Sequence, residues 1–501
     1  AMAGAGGGRG PVAPFAALWP LRRSRFTTSQ SAGSPSDTDS PDGSAEFSVD
    51  SVRHGFRANA PQVVMHLVIA FAIGVTLRLV VLPEALLADG DKPSKVDYLI
   101  FFGVSKALGD HLGGTLADSW GRKRAALLGW GVGLAMVPMI LLGLTLGSRA
   151  VLDLADVLLG TMQGLTWGLN IICLMDLLGP RGRGLASALS NAVGYSGMAL
   201  AAPAVAHVLG TREHPRADPR WAVLAVGCSV VLGLVLSALA HDTGRWAASA
   251  KPSEDSPSAA TTDIETAAGV QTGCGSTVLV LCSLAGLTVN AATATVWGPF
   301  LLWLRSGNKL TTDELGLLEG MFTSAKVAAM LASGLASCCD RPQAVAAVSL
   351  GVLASGLVGL EAQAQQGEVA WAHLAATTVL MGLGVGGAYP ALAASVTAGV
   401  PDSSRASVYG AYRMWRDFGY AVGGLAARLL PGGFLVNSAV ISGWSALVAV
   451  LFGLRLVLCP WCFKANAMLA AVGISPSRAK RPTSQRTQPP SPTRTKPPSP
   501  R

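Results

Sequence analysis

Two lysines lie inside long apolar segments of this 501-residue chain, where a charged side chain is costly unless it contacts a counter-charge, a substrate or water. At about 1.5 Å per helical residue, Lys106 lies about 16 Å from Ala117 and Lys326 about 18 Å from Cys338, the ends of their segments. In a hydrocarbon core of about 30 Å, both ammonium groups fall near mid-depth. Because the two groups repel each other and a bound anion would remove that repulsion, the spacing predicts an anion site.

A second charged cluster, Arg413, Arg416 and Asp417, lies in the eleventh apolar segment. Arg416 is about 16 Å from Arg405 at the start of that segment. A guanidinium stays charged in essentially any setting, so it needs an anion, water or a carboxylate. Asp417 is therefore either a structural partner of the arginines or a group that binds a proton during coupling, and Asp110 is the other candidate for that proton.

A purely structural explanation of the lysines is also open. Lys106 and Asp110 are four residues apart on one helical face, and Glu319 and Lys326 are seven apart, so each lysine has a local acid that could neutralise it. Other polar or aromatic residues within the apolar segments are candidates for lining a pathway or for packing; these are Arg78, Gln163, Trp167, Asn191, Asn290 and Tyr389.

The composition is that of a polytopic membrane protein. Only 13% of the residues are charged, half are hydrophobic and the mean hydropathy is +0.44, whereas soluble globular proteins have about 25% charged residues. This excludes a disordered chain and argues against a soluble multidomain enzyme. Twelve apolar segments of membrane-spanning length are predicted: 62–87, 98–117, 124–146, 150–175, 184–209, 221–240, 276–304, 314–338, 343–360, 370–397, 406–429 and 433–459.

The twelve segments divide into two related halves. Phe102, Lys106 and Gly114 recur as Phe322, Lys326 and Gly334 at an offset of 220 residues. At an offset of 222, the first-half residues Gly160, Gly164, Trp167 and Arg183 are matched by Gly382, Gly386, Tyr389 and Arg405. A parallel repeat of six plus six helices places a substrate site between the halves, near the middle of the bilayer.

The domain boundaries follow from composition. Residues 1–58 are predicted to be disordered, 59–241 to form the first six-helix half, 242–275 a flexible linker on the cytoplasmic side, 276–462 the second half, and 463–501 a basic Pro/Ser-rich tail. Residues 1–36 contain four arginines and no acidic residue, as plastid or mitochondrial transit peptides do. An organellar membrane is therefore one candidate location, with the plasma membrane or another cellular membrane as the alternative.

The net charge of +9 does not indicate nucleic-acid binding, because eight of the positive charges lie in the tail after Phe463, which contains no acid. The sequence has no Walker glycine loop, no HExxH motif and no nucleophile elbow. We therefore expect no enzyme activity, cofactor or metal. A CxxC at 459–462 follows the last span and lacks the thioredoxin-type context of redox sites.

The link after the second span reads GGTLADSWGRKR and resembles the signature of the major facilitator superfamily. The resemblance implies two six-helix halves that alternate access to a central site, and a latch at this link. Ser119 departs from the pattern, which has arginine there. The latch would be formed by residues of this link together with two arginines of equivalent links: Gly114, Asp118, Gly121, Arg122, Lys123, Arg124, Arg183 and Arg405.

Further motifs resemble a poorly characterised branch of that superfamily: QGLTW at 163–167, DLLGPRGRG at 176–184, and YRMWRDFGYAVGG at 412–424. Some anion carriers of the superfamily have basic residues in the second and eighth helices, as this chain does. The resulting hypothesis is a monomeric secondary transporter of a small organic or inorganic anion, with proton coupling as one option. The alternatives are an exporter of lipophilic or cationic compounds, attracted by Asp110, Glu319 and Asp417, and a receptor or scaffold with a transporter fold.

Overall fold

The computed structural model of the chain describes residues 54–78, 97–209, 220–244, 260–300, 304, 310, 312–337, 341–366, 370–398, 400–401, 403–429 and 439–455. In these ranges the structure is helical and contains no β-strand. The possible transit segment, the CxxC and the basic tail lie outside the described residues.

Twelve long helices follow one another in the described ranges: α1 Ala60–Leu77, α2 Asp97–Trp120, α3 Arg122–Leu146, α4 Arg149–Leu178, α5 Arg183–Leu209, α6 Arg220–Leu239, α7 Ala260–Thr295, α8 Thr312–Ala336, α9 Pro342–Gln366, α10 Trp371–Thr397, α11 Arg405–Leu429 and α12 Ala439–Arg455. Seven of the described helices are long and apolar enough to cross a membrane. That all twelve do so stays a prediction.

The chain is helical because an apolar segment in lipid must satisfy every backbone hydrogen bond internally. Glycines end and restart the helices where the backbone has to turn. Gly121, with φ of 98°, separates α2 from α3, and Gly147, with φ of 60°, caps the end of α3. These positive φ angles favour glycine over any residue with a side chain.

Among the described residues, large apolar side chains are exposed on the outside, and the apolar interior also contains many polar and charged side chains. Leu108 and Leu134 are exposed on the outer surface, whereas Lys106 on the same helix as Leu108 is 3% exposed. Helix α11 shows the pattern most clearly, since Arg413 and Asp417 are fully buried and Leu425 is exposed. The exposed apolar surface faces the lipid.

The helix contacts repeat between the two halves. In the first half α4 packs against α2 and α3, and α1 packs against α5; in the second, α10 packs against α8 and α9, and α7 packs against α11. The halves meet where α2 lies against α11 and where α5 lies against α8. These two contacts are related by the internal repeat, because α8 is the counterpart of α2 and α11 is the counterpart of α5.

Glycine pairs set the crossing of helices at each lysine. A Cβ on Gly164 of α4 would collide with the carbonyl oxygen of Lys106, and a Cβ on Gly386 of α10 would collide with that of Lys326. Gly160 and Gly382, one turn earlier, meet the same two helices. The glycines at an offset of 222 residues therefore hold equivalent close contacts in the two halves.

Helix α7 overlaps the predicted linker. The linker was expected to extend to residue 275, but α7 begins at Ala260. The physical reason is local composition. Both prolines of this segment, Pro252 and Pro257, precede the helix, and the sequence ATTDIETAA that opens it contains neither proline nor glycine.

Candidate functional site

Asp417 of α11 is the centre of a buried network of charges. Its carboxylate lies 3.1 Å from Lys106 Nζ of α2 and forms two contacts with the Arg416 guanidinium, at 2.6 and 3.0 Å. Asn290 of α7 donates a hydrogen bond of 2.6 Å to the same carboxylate. All four residues are at most 5% exposed. Three helices from both halves thus converge on one acid.

Arg413 connects this centre to a second acid. Its Nη2 lies 3.1 Å from Asp417, one turn further along α11, and its Nε lies 2.8 Å from Asp110 of α2. Gly168 of α4 lies alongside, where a Cβ would be 3.2 Å from Asp110 Oδ1 and 3.3 Å from Arg413 Cδ. The first half thus contributes a lysine and a carboxylate to the network, and α11 contributes two arginines and a carboxylate.

Lys326 of α8 has a different environment. Its ammonium group lies 3.5 Å from the ring centroid of Tyr195 and 5.0 Å from that of Tyr389. Arg416 lies over the same Tyr389 ring, with Cζ 5.0 Å from the centroid. The Tyr389 hydroxyl donates a hydrogen bond to Asn290 Oδ1, which links this aromatic region to the Asp417 centre.

The expected pairs along single helices are replaced by pairs between helices. Lys106 forms its ion pair with Asp417, and Asp110 forms its own with Arg413. Glu319 of α8, expected near Lys326, lies 2.5 Å from Arg78 at the end of α1. The Arg78–Glu319 pair is partly buried and joins the two halves away from the central network.

Two predicted lining residues form hydrogen bonds outside the charged network. Gln163 of α4 donates hydrogen bonds to Ile73 O at 2.9 Å and to Thr76 Oγ1 at 2.6 Å, both on α1. Asn191 donates to Ser187 O on its own helix, α5, at 2.8 Å. Neither side chain contacts the charged network in these bonds. The network therefore contains, of the predicted pathway residues, Lys106, Asp110, Trp167, Asn290, Lys326, Tyr389, Arg413, Arg416 and Asp417.

The α2–α3 link, where a latch was predicted, contacts the second half of the molecule; we call this end of the molecule the motif end. Asp118 accepts hydrogen bonds from the backbone N–H of Ser407, at 2.8 Å, and from its hydroxyl, at 2.5 Å. Ser407 lies in the first turn of α11, so Asp118 accepts hydrogen bonds at the N-terminus of this helix, where a negative charge is favourable. Nearby, a Cβ on Gly114 would collide with the carbonyl oxygen of Ala406.

A second carboxylate at the motif end escaped the sequence analysis as a site residue. Asp176, in the last turn of α4, forms ion pairs with Arg122 of α3 and, at 2.8 Å, with Arg405 of α11. Thr243 donates a hydrogen bond of 2.8 Å to the same carboxylate. Asp176 belongs to the DLLGPRGRG motif. An acid at the end of an apolar segment could have been recognised as a partner for the basic links that contain Arg122 and Arg405.

The remaining residues of the predicted latch also lie at the motif end. Arg183 donates a hydrogen bond from Nη1 to the carbonyl oxygen of Thr397 at the end of α10, which is another contact between the halves. Gly121 leaves room for the Asp242 carboxylate. Lys123 is half-buried and Arg124 is exposed.

Tyr195 is the central residue that sequence reasoning missed as a site candidate. Its ring lies 5.4 Å from that of Trp167 and 6.3 Å from that of Tyr389, measured between centroids, and stacks on the latter with an interplanar angle of 21°. Gly194 makes space for Trp167, because a Cβ there would lie 2.9 Å from Cζ2 of the indole. Tyr195 was not predicted as a site residue, since a tyrosine in an apolar segment carries no distinguishing signal.

Comparisons with known proteins agree with this architecture. The family model of the Major Facilitator Superfamily matches residues 64–424, well over half of the chain. No curated protein matches the chain. Among solved structures, the human organic anion transporter MFSD10 (TETRAN) is 17% identical, with a TM-score of 0.58, and the match covers 80% of this chain and all of that one.

Two other solved structures have the same fold at lower identity. A bacterial homologue of the iron transporter ferroportin in its outward-facing state is 15% identical, with a TM-score of 0.58 and coverage of 78% of this chain and 98% of that one. The proton:xylose symporter XylE is 12% identical, with a TM-score of 0.60 and coverage of 78% and 95%. Family members are transporters rather than enzymes, and this chain is an integral membrane protein that belongs to the major facilitator superfamily.

Proposed function

We propose that the protein is a secondary transporter that moves a small anion by alternating access around the buried charge network. The observation that carries this proposal is the charge balance of the network. Four cationic side chains, Lys106, Lys326, Arg413 and Arg416, share two carboxylates, Asp110 and Asp417. With every group ionised, the buried site has an excess of two positive charges, which an anion would balance.

The contacts argue against the cation alternative. The three acids that would attract an organic cation already contact arginines: Glu319 contacts Arg78, Asp110 contacts Arg413, and Asp417 contacts Arg413 and Arg416. A cationic substrate would have to displace a guanidinium from each carboxylate it used. An anion instead meets cations that outnumber their acidic partners.

The contacts between the halves support alternating access. At the motif end, Asp118 and Arg183 of the first half each form a hydrogen bond with the second half. Asp176 of α4 forms ion pairs with α3 and with α11. Away from this end, Arg78 joins Glu319, and Arg428 joins Asp97 at 2.7 Å. Breaking one set while keeping the other would open the central site to one side at a time.

Asp110 is the better candidate of the two for a coupling proton. Asp417 is surrounded by Lys106, two arginines and Asn290, which together favour its ionised form, whereas the ion pair of Asp110 is with Arg413. Protonation of Asp110 would raise the positive excess of the site by one charge. Proton and anion would then bind with positive cooperativity, as a symporter requires.

The first test is a thermal-shift measurement on purified protein with matched panels of small anions, zwitterions and organic cations. Ligand binding raises the unfolding temperature through mass action, whatever the direction of transport. We expect anions to stabilise the wild type and to have no effect on the Lys106→Ala, Lys326→Ala double variant. Arg57→Ala, at an exposed arginine outside the network, is the matched control and should respond as the wild type does.

Stabilisation by cations alone, with an unchanged response of the double variant, would overturn the anion proposal.

Coupling is tested separately by anion affinity across pH. The wild type should bind an anion more tightly as the pH falls, because Asp110 gains a proton and the site a positive charge. Asp110→Asn, which mimics the protonated acid, should bind tightly at every pH. A wild-type affinity that does not change with pH would exclude proton coupling through this residue.

A further inference from the structure

The cations of the central site are interleaved with aromatic rings. Trp167 of α4, Tyr195 of α5 and Tyr389 of α10 form a buried row, with centroid separations of 5.4 and 6.3 Å between neighbours. A cation lies over each ring: Lys106 is 5.5 Å from Trp167, Lys326 is 3.5 Å from Tyr195, and Arg416 is 5.0 Å from Tyr389. We call these three residues the aromatic row.

A ring face is a weaker partner for an ammonium group than a carboxylate is. A ligand carboxylate that reaches Lys326 would therefore draw its Nζ away from the Tyr195 ring. That movement uncovers a ring face in a buried site. An inorganic or short aliphatic anion would balance the charge and leave this face without a partner.

An aromatic ring on the ligand would fill that place. Aromatic pairs prefer offset-stacked or edge-to-face arrangements with centroids about 4.5–7 Å apart, and the rings of the row already have this spacing. Tyr195 belongs to the first half of the molecule and Tyr389 to the second, so a ligand ring between or beside them would contact both halves. The ring would add a contact that joins the halves when the site is occupied.

The indole N–H of Trp167 provides an independent indication of a ligand. Trp167 is 3% exposed, and its Nε1 has no hydrogen-bond acceptor among the described residues. A buried donor without an acceptor is costly. The second oxygen of a ligand carboxylate, or a hydroxyl on the ligand ring, would satisfy it.

We infer, building on the proposed anion transport, that the substrate class is planar aromatic carboxylates. The carboxylate binds Lys326 and Lys106, and the ring stacks in the aromatic row. Specificity then comes from two separable parts of the site: the lysines select the charge, and Tyr195 with its neighbours selects the planar ring.

The experiment compares two carboxylates of equal charge and similar size by calorimetric titration of the purified wild type. Benzoate and cyclohexanecarboxylate have the same carboxylate and six-carbon ring, and only benzoate is aromatic. We expect benzoate to bind about fivefold to tenfold more tightly than cyclohexanecarboxylate, as one stacked ring contact provides. Phosphate serves as the inorganic anion in the same series.

A Tyr195→Leu variant tests where the preference arises. It should bind benzoate and cyclohexanecarboxylate with affinities within about twofold of each other, because the ring face is absent. If phosphate or cyclohexanecarboxylate binds the wild type as tightly as benzoate does, the aromatic class is wrong while anion transport stands. If none of the three anions binds, both proposals fail. The wild-type comparison decides even if the variant does not fold.

Discussion

Lys106 and Lys326 occupy equivalent positions in the two halves, and their surroundings differ. The backbone around each is the same, since a glycine pair from the helix two positions later packs against it. Lys106, however, forms an ion pair with Asp417, whereas Lys326 lies against the rings of Tyr195 and Tyr389. The two halves thus place a cation at the same depth but give it different partners.

This difference separates two tasks. A lysine held by a carboxylate is bound into the fold, and moving it costs the energy of a buried ion pair. A lysine held by ring faces can leave them for a stronger partner at lower cost. We therefore assign Lys106 mainly to holding α2 against α11, and Lys326 mainly to capturing the anion.

The largest effect is expected from Asp417→Asn. The change leaves three buried cations around a neutral amide, and breaking a buried ion pair from one side costs about 3–5 kcal/mol of unfolding free energy. The measurement is the unfolding temperature of the purified variant. Asp97→Asn breaks the pair with the half-exposed Arg428 and is the matched control, expected to cost at most about 1 kcal/mol. Equal losses in the two variants would contradict a central role for Asp417.

A smaller loss is expected from Lys106→Met. Asp417 would keep both arginines and Asn290, so the cost is that of one buried charged contact, about 1–3 kcal/mol. Chemical or thermal unfolding without ligand measures it. If this variant were as stable as the wild type, the ion pair seen at 3.1 Å would contribute nothing to the fold, and the division of tasks would not hold.

For Lys326→Met the expected change in stability without ligand is near zero or favourable. Lys326 and Arg416 lie over the same Tyr389 ring, each 5.0 Å from its centroid, so removing the lysine relieves a repulsion between like charges. Loss of the ring contact opposes this gain by about 0.5–2 kcal/mol. Anion-induced stabilisation should disappear. A variant that unfolds easily yet still responds to anions would reverse our assignment of the two lysines.

The smallest effect is expected from Tyr195→Phe. The ring face under Lys326 is retained, and the loss of one hydroxyl costs about 1 kcal/mol or less. Anion affinity should stay within about twofold of the wild-type value, since the cation–π contact needs only the ring. Titration with benzoate checks this. A large loss would show that the hydroxyl, rather than the ring face, is what the site uses.

The sequence was sufficient to find what depends on spacing along the chain. Lys106 and Lys326 were identified from their depth in apolar segments and the 220-residue offset, and both are buried. The glycines at the 222-residue offset pack against them as equivalent positions should. The family signature likewise identified Asp118, which contacts the start of α11.

Spacing along the chain could not predict which side chain on another helix each residue contacts. Lys106 has Asp110 one turn away on its own helix, yet it pairs with Asp417, because α2 lies directly against α11. Gln163, predicted to line the pathway, donates hydrogen bonds to α1, and nothing in a single sequence fixes the rotation of α4 about its axis. The same uncertainty concealed the roles of Asp176 and Tyr195.

The glycine contacts at the lysines have a mechanical consequence. Each lysine backbone is clamped by a helix of its own half, Lys106 by α4 and Lys326 by α10. Neither can slide along the membrane normal without disturbing that close packing. If the halves rock as proposed, the backbone of each lysine must travel with its own half, and the separation of the two backbones changes with the angle between the halves. The electrostatic potential at the centre therefore depends on the angle between the halves. An anion bound between the lysines would favour one angle over the others.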